Sequence, residues 1–280
     1  MKENTILSIV VPVFNSGVYL NETIKSIKEV NFSYPYEVIL VNDGSTDQAT
    51  LNILDQYKNE YTIINQENGG AAKARNKGIF HAKGQYILPF DSDDIMNGNY
   101  YDLALQIMMN DKSIDILYGD YWVFGSENRY NKSSNYNRLR LIHSGCFLPS
   151  SSIYKKCVWE DNGGYDINLS YAEDWDFWSR SAVVDYKFFY FNKPLFKYRR
   201  IYDGKSLSQT KANKHNEAIK ILKSKIPASV FNQETISDYV VQSVRENRKL
   251  KIKLLLRIFF PRLFDYLKKN KLFPNGIVVE

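Results

Sequence analysis

The sequence predicts an α/β fold: a doubly wound, mainly parallel β-sheet with helices on both faces, followed by a helical C-terminal extension. Three observations predict it. Short, continuous apolar runs alternate with stretches of helical spacing through the first 120 residues, the loops between them are short, and after about residue 210 the composition shifts to Lys, Ile, Leu and Asn at helical spacing. Strand–helix–strand repetition with short connections builds right-handed βαβ units.

The elements follow in order. Ile6 to Val13 is a continuous apolar run, as expected of a strand buried on both faces. Asn15 and Ser16 offer N-caps for a helix over Val18 to Val30. Glu37 to Val41 is a second buried strand, Thr46 to Asn59 a helix and Tyr61 to Asn65 a short strand. Ala71 to Ala82 is helical, and Gln85 to Phe90 is a fourth strand that runs into Asp91-Ser92-Asp93-Asp94. Asn99 to Asn110 is helical and Ile114 to Tyr118 a strand. Residues 121–208 are more irregular and hold all four tryptophans, Trp122, Trp159, Trp175 and Trp178. The expected division is residues 1–209 as one catalytic domain (about 1–120 and 121–209 as its halves) and 210–280 as a basic helical extension.

Composition bounds the function. The 280 residues are 44% hydrophobic and 24% charged, which excludes a disordered, collagenous or disulfide-scaffold chain. Cys146 and Cys157 fit no metal-binding spacing and read as two buried thiols in a reducing compartment. The first residues read as a strand rather than a signal peptide, and no stretch approaches the roughly 18 apolar residues that cross a bilayer. The expected location is cytoplasmic. Net charge is +6, which suggests a polyanionic partner. Residues 245–271 hold ten basic and two acidic residues, net +8, so the remainder is −2. The basic signal therefore belongs to the tail, where apolar residues are interleaved. That pattern suits an anionic membrane surface, as a peripheral contact on the inner face, or a helix packed on the domain with a solvated basic face. No nucleic-acid motif accompanies it.

Chemistry gathers where strands end. Pro12-Val13-Phe14-Asn15 follows the first strand, Asn42-Asp43-Gly44-Ser45-Thr46-Asp47 the second and Asp91-Ser92-Asp93-Asp94 the fourth. In a parallel sheet these share one edge, where ligands bind. Asp43 and Asp47 also suit an ordinary turn entering a helix. Three carboxylates in four residues repel one another, and a divalent cation relieves that cost; a solvated Asp-rich helix start is the alternative. There is no GxxxxGK[ST] and no GxGxxG. The glycine-rich stretch Asn68 to Gly78 opens a helix, where a phosphate could sit or where the helix could simply show a basic surface.

VVPVFN, VNDGSTD, NGGAAKARNKGI, GQYILPFDSDD, GGYD and AEDWDFWSR occur in this order. Together they resemble the inverting family 2 glycosyltransferases of the GT-A fold, over about residues 6–208. The resemblance implies transfer of a sugar, hexosyl or N-acetylhexosaminyl, from a nucleotide diphosphate sugar, most naturally UDP-linked. The acceptor would be a saccharide or lipid-linked saccharide in surface polysaccharide synthesis. It implies that Pro12, Phe14 and Asn15 line the nucleotide pocket and that Asp43 accepts a hydrogen bond from uracil N3–H. Arg75 would stabilise the nucleotide or hold Asp43. Asp91 would contact the ribose, and Ser92 would belong to the same nucleotide site. Asp93 would bind Mn²⁺ or Mg²⁺, and Asp94 would assist or cap the next helix. Asp174 would be the catalytic base, with Glu173 as the alternative. Trp175 or Trp178 would stack on a sugar face, Trp178 fitting the core better. Arg180 would pair with the acidic helix start or the diphosphate.

One departure stands out. Where relatives carry Tyr-Arg-x-His, this chain has Tyr198-Arg199-Arg200-Ile201, without a histidine. Metal held by Asp93, phosphates and water, or charge supplied by Arg199, Arg200 or Lys205, are the alternatives. His143 reads as a loop residue. The rival functions are a catalytically silent nucleotide-sugar-binding or membrane scaffold module, and a nucleotidyltransferase. The last would want a cationic loop after the first strand, which Pro12 to Leu20 does not provide.

Overall fold

In a computed structural model the described residues are 4–143, 145–169, 171–201, 221–222 and 224–227. The chain divides into two compact units, Met1–Ile226 and Pro227–Glu280. The boundary expected after residue 209 and the basic segment 245–271 lie outside the described residues.

The amino-terminal half alternates as its sequence dictates. Strands β1 (Leu7–Val13), β2 (Tyr36–Asp43), β3 (Thr62–Gln66) and β4 (Tyr86–Pro89) alternate with helices α1 (Val18–Glu29), α2 (Gln48–Tyr57) and α3 (Ala71–His81). These strands lie parallel in the order β3-β2-β1-β4. Successive side chains of a strand point to opposite faces. Leu7, Ile9, Val11 and Val13 of β1 join Leu20, Ile24 and Ile27 of α1 in one core layer, with Tyr101, Leu105 and Met108 of α4 (Tyr100–Asn110). Val10 faces the other way, towards α3. There Gly78 lets the helix approach: a Cβ at that position would lie 2.4 Å from Val10 Cγ1 and 2.9 Å from Val41 Cγ2. Helices therefore cover both faces.

The carboxyl-terminal half is mixed. Beyond β4 the order runs β8-β6-β9-β5, with β5 (Ile95–Met96), β6 (Ile116–Gly125), β7 (Arg129–Asn131), β8 (Ile153–Lys155) and β9 (Phe188–Arg200). Strand β8 runs antiparallel to β4 and β6, while β9 runs parallel to β6. The 13-residue β9 falls in the region that reads as irregular. Its pairing with β6 is interrupted by register shifts around Asp120, opposite Pro194, and a bulge of this kind breaks the simple two-residue period. Helices α5 (Arg138–His143), α6 (Lys156–Asp161) and α7 (Glu173–Val183) complete the half.

Local expectations fail in four places. Helix α1 starts from Gly17 at φ +52, with neither Asn15 nor Ser16 capping it. His143 ends helix α5 rather than lying in a loop. Cys146 and Cys157 are both exposed. Asp91 to Asp94 forms a turn into β5 rather than a helix start, and α4 begins only at Tyr100 with Asn99 before it.

Candidate active site

The parallel strands bring the predicted clusters to one sheet edge. Val13 pairs Asn42, and Asp43 pairs Gln66, so the loops after β1, β2 and β3 begin side by side. Asn15, at φ +47, ties the first two together. Its Oδ1 accepts from the amides of Thr46 (2.8 Å) and Asp47 (3.1 Å). Pro12 is partly buried beneath this loop, and Phe14 stands half exposed at its tip. Asp47 caps α2 through the Thr50 amide at 2.8 Å, which is the turn-and-cap reading of that residue.

Asp43 is buried, and its carboxylate takes three donors. Gln66 Nε2 (2.6 Å) and the Gly69 amide (2.8 Å) donate to Oδ1, and the Gly70 amide (2.8 Å) donates to Oδ2. Two amides of the glycine-rich loop are thus spent on a side-chain carboxylate. This corrects the phosphate reading of that loop: the anion at the start of α3 is Asp43. A carboxylate has about four lone-pair positions, which leaves one for a further donor. Gln66 had no signal in the sequence beyond its place at the end of a short strand.

Arg75 does not hold Asp43. It is 4% exposed and bridges two other carboxylates. Its Nη2 donates to Asp91 Oδ1 at 2.7 Å, and its Nη1 to Glu173 Oε1 at 2.8 Å. Coulombic attraction to Asp91 and Glu173 outweighs burial and raises the guanidinium further above its usual range. Ser150 Oγ donates to the second oxygen of Asp91 at 3.2 Å. Ser92 pairs with Ser16 at 2.6 Å, which ties the acidic turn to the loop before α1.

The acidic turn contains two different carboxyls. Asp93 is partly buried, and its own backbone amide donates to its carboxylate. Burial and the charge of Asp91 push it up to about 6. Asp94 is fully buried. Its Oδ1 accepts the Arg199 amide at 2.9 Å and its Oδ2 has no hydrogen-bond partner among the described residues. Burial, then Asp93 and Asp91, push its carboxyl well above the ordinary range. Asp94 therefore fixes β9 to the turn and does not cap α4.

Arg199 occupies the stretch where a histidine is missing. Its Nε donates to the Asp93 carbonyl at 2.8 Å, its Nη2 pairs with Glu22 at 2.5 Å, and its guanidinium lies 4.5 Å from the ring centres of Tyr19 and Phe124. Its cation supports the turn from behind. Arg200 pairs with Glu127 at 3.0 Å. Lys205 lies outside the described residues.

Asp93 fits a hard divalent cation: it is an oxygen donor whose crowding with Asp91 a cation would relieve. Among the described residues no group of three or more His, Cys, Asp or Glu could hold a metal ion. Remaining ligands would therefore come from the diphosphate and water.

Helix α7 carries the predicted base. It opens with Glu173 and Asp174 after Ala172 at φ +63. Asp174 Oδ1 accepts the Trp175 amide at 2.7 Å. Burial, then the charge of Glu173, pushes the Asp174 carboxyl up to about 7, although Arg75 opposes the shift. Glu173 is committed to Arg75, and among the described residues Asp174 has no cation within ion-pair distance. Trp175 is 4% exposed and donates Nε1–H to the Leu141 carbonyl at 2.5 Å, so it packs against α5 and presents no ring face for a sugar. Trp178 is fully buried, as its core reading expects. Arg180 pairs with Asp176 at 2.7 Å and donates to the carbonyls of Gly164 (2.8 Å) and Asn162. It holds the Gly163-Gly164-Tyr165-Asp166 turn, and its charge is used there rather than on a diphosphate. Asn76, beside Arg75, grips the same turn through the Tyr165 amide (2.8 Å) and carbonyl (2.7 Å).

The family described as Glycosyl transferase family 2 matches residues 8–163. Glycosyltransferase GlyG of Streptococcus pneumoniae serotype 4 is 40% identical over 121 residues, covering 42% of this chain and 39% of that protein. The chain thus spans about two fifths of that relative's length. An uncharacterized glycosyltransferase of Rickettsia typhi is 30% identical over 225 residues, covering 74% of this chain and 68% of that one. The crystal structure of S. aureus TarS 1–349 in complex with UDP superposes with a TM-score of 0.61 at 25% identity, covering 70% of this chain and 61% of that one. With its βαβ half, its mixed half and its acidic turn after β4, this chain belongs to glycosyl transferase family 2 and has the GT-A fold.

Proposed function

We propose that this chain transfers a sugar from a nucleotide diphosphate sugar, a UDP-sugar first, to a hydroxyl of a saccharide or lipid-linked saccharide, with inversion at the anomeric carbon. The observation that carries the reading is the bridge Asp91–Arg75–Glu173. It ties the turn that would face the donor to the helix start that carries Asp174, a carboxyl raised to about 7.

Asp174 takes the proton of the acceptor hydroxyl as that oxygen bonds to the anomeric carbon and the bond to the diphosphate breaks. One displacement with one base inverts the centre. A base of this kind contributes about 10²–10⁴-fold. Asp43 accepts uracil N3–H with its remaining lone pair, and Asp91 and Ser92 orient the donor. Asp93 would hold Mn²⁺ or Mg²⁺, which when bound would supply Lewis-acid stabilisation of charge on the leaving diphosphate. The UDP in the TarS complex supports the choice of base. The sugar would be hexosyl or N-acetylhexosaminyl. The basic segment 245–271 would keep the enzyme at an anionic membrane surface on the cytoplasmic side, where a lipid-linked acceptor in surface polysaccharide synthesis is presented.

A panel of UDP-, GDP- and dTDP-sugars with Mn²⁺ and Mg²⁺, read as donor hydrolysis and as transfer, tests the reading. Consumption of a UDP-sugar alone is expected. No turnover of any donor, with UDP still bound, would favour the silent binding module.

A further inference from the structure

One charged side chain outside the motifs ties two elements of the candidate site together. Lys225 lies in a short helical stretch, 221–222 and 224–225, that belongs to the same compact unit as the sheet. Leu222 is 2% and Ile226 6% exposed, so this stretch is docked by its apolar side. Lys225, three residues after Leu222 and one before Ile226, is itself exposed, and its ammonium group is held by two carboxylates. Its Nζ donates to Asp176 Oδ1 at 2.7 Å and to Asp166 Oδ2 at 2.5 Å.

One partner lies on the helix that carries the proposed base, the other at the end of the glycine turn. Asp176 is fully buried in the first turn of α7, two residues after Asp174. Its other oxygen accepts Arg180 Nε at 2.8 Å. Asp166 ends the glycine turn and accepts the Asn168 amide at 2.9 Å. Two cations and two carboxylates thus form one neutral cluster, Asp166–Lys225–Asp176–Arg180. It joins the base helix to the glycine turn at both ends of that turn. Without Lys225, the buried Asp176 carboxylate loses one of its two cationic partners and keeps Arg180.

We propose that Lys225 is a positioning residue for the transfer reaction: it latches the chain beyond the sheet onto the base helix and the glycine turn, and so fixes Asp174 against the acceptor. The proposal rests on the transferase reading above and adds to it a residue that no motif contains. A misplacement of about 1 Å at such a helix start costs on the order of 10²-fold in rate.

Lys225→Met keeps the aliphatic stem and removes the charge, and Lys225→Arg keeps the charge. In the full chain, Lys225→Met is expected to lower kcat at saturating donor at least about tenfold. UDP affinity stays within about twofold, because Asp43 and the acidic turn are untouched. Lys225→Arg recovers most of the rate. Amide exchange over 162–168 and 173–176 speeds up in Lys225→Met while β1 to β4 stay protected. A kcat within twofold of wild type, unchanged exchange in those two segments, or loss of UDP binding together with activity would each overturn the proposal. Exchange and UDP binding need no turnover. A wild-type chain that transfers no sugar therefore refutes the transferase reading and leaves the latch to be decided by exchange.

Discussion

Arg75 Nη1 donates to Glu173 Oε1 at 2.8 Å across 98 residues of sequence, and the arginine is 5% exposed in its side chain. The same guanidinium holds Asp91 at 2.7 Å. One buried cation thus sets the distance between the acidic turn after β4 and the start of α7. Removing it leaves two partly buried carboxylates uncompensated. Arg75→Met is expected to destabilise the fold by about 3–5 kcal/mol. Arg75→Lys, a single point charge in place of a fork, recovers only part of that. Thermal unfolding of the two variants checks the order.

The pH dependence follows from Asp174. As a base it works ionised, so kcat/KM should rise with pH through about 7. Arg75 opposes the upward shift, so a folded Arg75 variant should show its rising limb at higher pH. A rate that is flat between pH 5 and 8 would contradict the assignment.

The same group predicts a stability effect of opposite sense. A carboxyl raised from 3.8 to about 7 by folding disfavours the folded state once it ionises. Its penalty is absent below the unfolded value and grows as pH rises through 7. Asp174→Asn should therefore be more stable than wild type at pH 8, by on the order of 1–3 kcal/mol, and nearly equal at pH 4. Denaturant midpoints at the two pH values check it.

Gly78 gives a test of the scaffold alone. A methyl group there meets Val10 and Val41 side chains at 2.4 and 2.9 Å. Gly78→Ala should cost about 1–3 kcal/mol by forcing α3 off the sheet. Gly98→Ala, where a Cβ would meet nothing within 4 Å, lacks that clash and reports only the strain of a positive φ.

Asp93 carries the metal proposal. Chelation should abolish transfer, Mn²⁺ or Mg²⁺ should restore it, and Asp93→Ala should remove metal-dependent donor binding. Full activity in chelator would refute the role.

Much of the site was legible because the strands that frame it are buried on both faces. β1, β2 and β4 are centred on apolar runs, and the polar residues that follow those runs meet at one edge. What was not legible depends on distance or on mixed pairing. Nothing near Arg75 announces Glu173, and its helical surroundings suit a surface ion pair equally well. Strand β9 brings Arg199 to Asp94, yet its bulged pairing with β6 hides its period. Trp175 reads as a sugar platform until α5 covers it, and α5 has no long periodic signature of its own. Lys225 lies far from every motif.

The role of Asp174 as the base of a transfer reaction is tested most directly by Asp174→Asn with a UDP-sugar and its acceptor. Transfer is expected to be lost while UDP binding stays within a few fold of wild type. Unchanged turnover in that variant would contradict it.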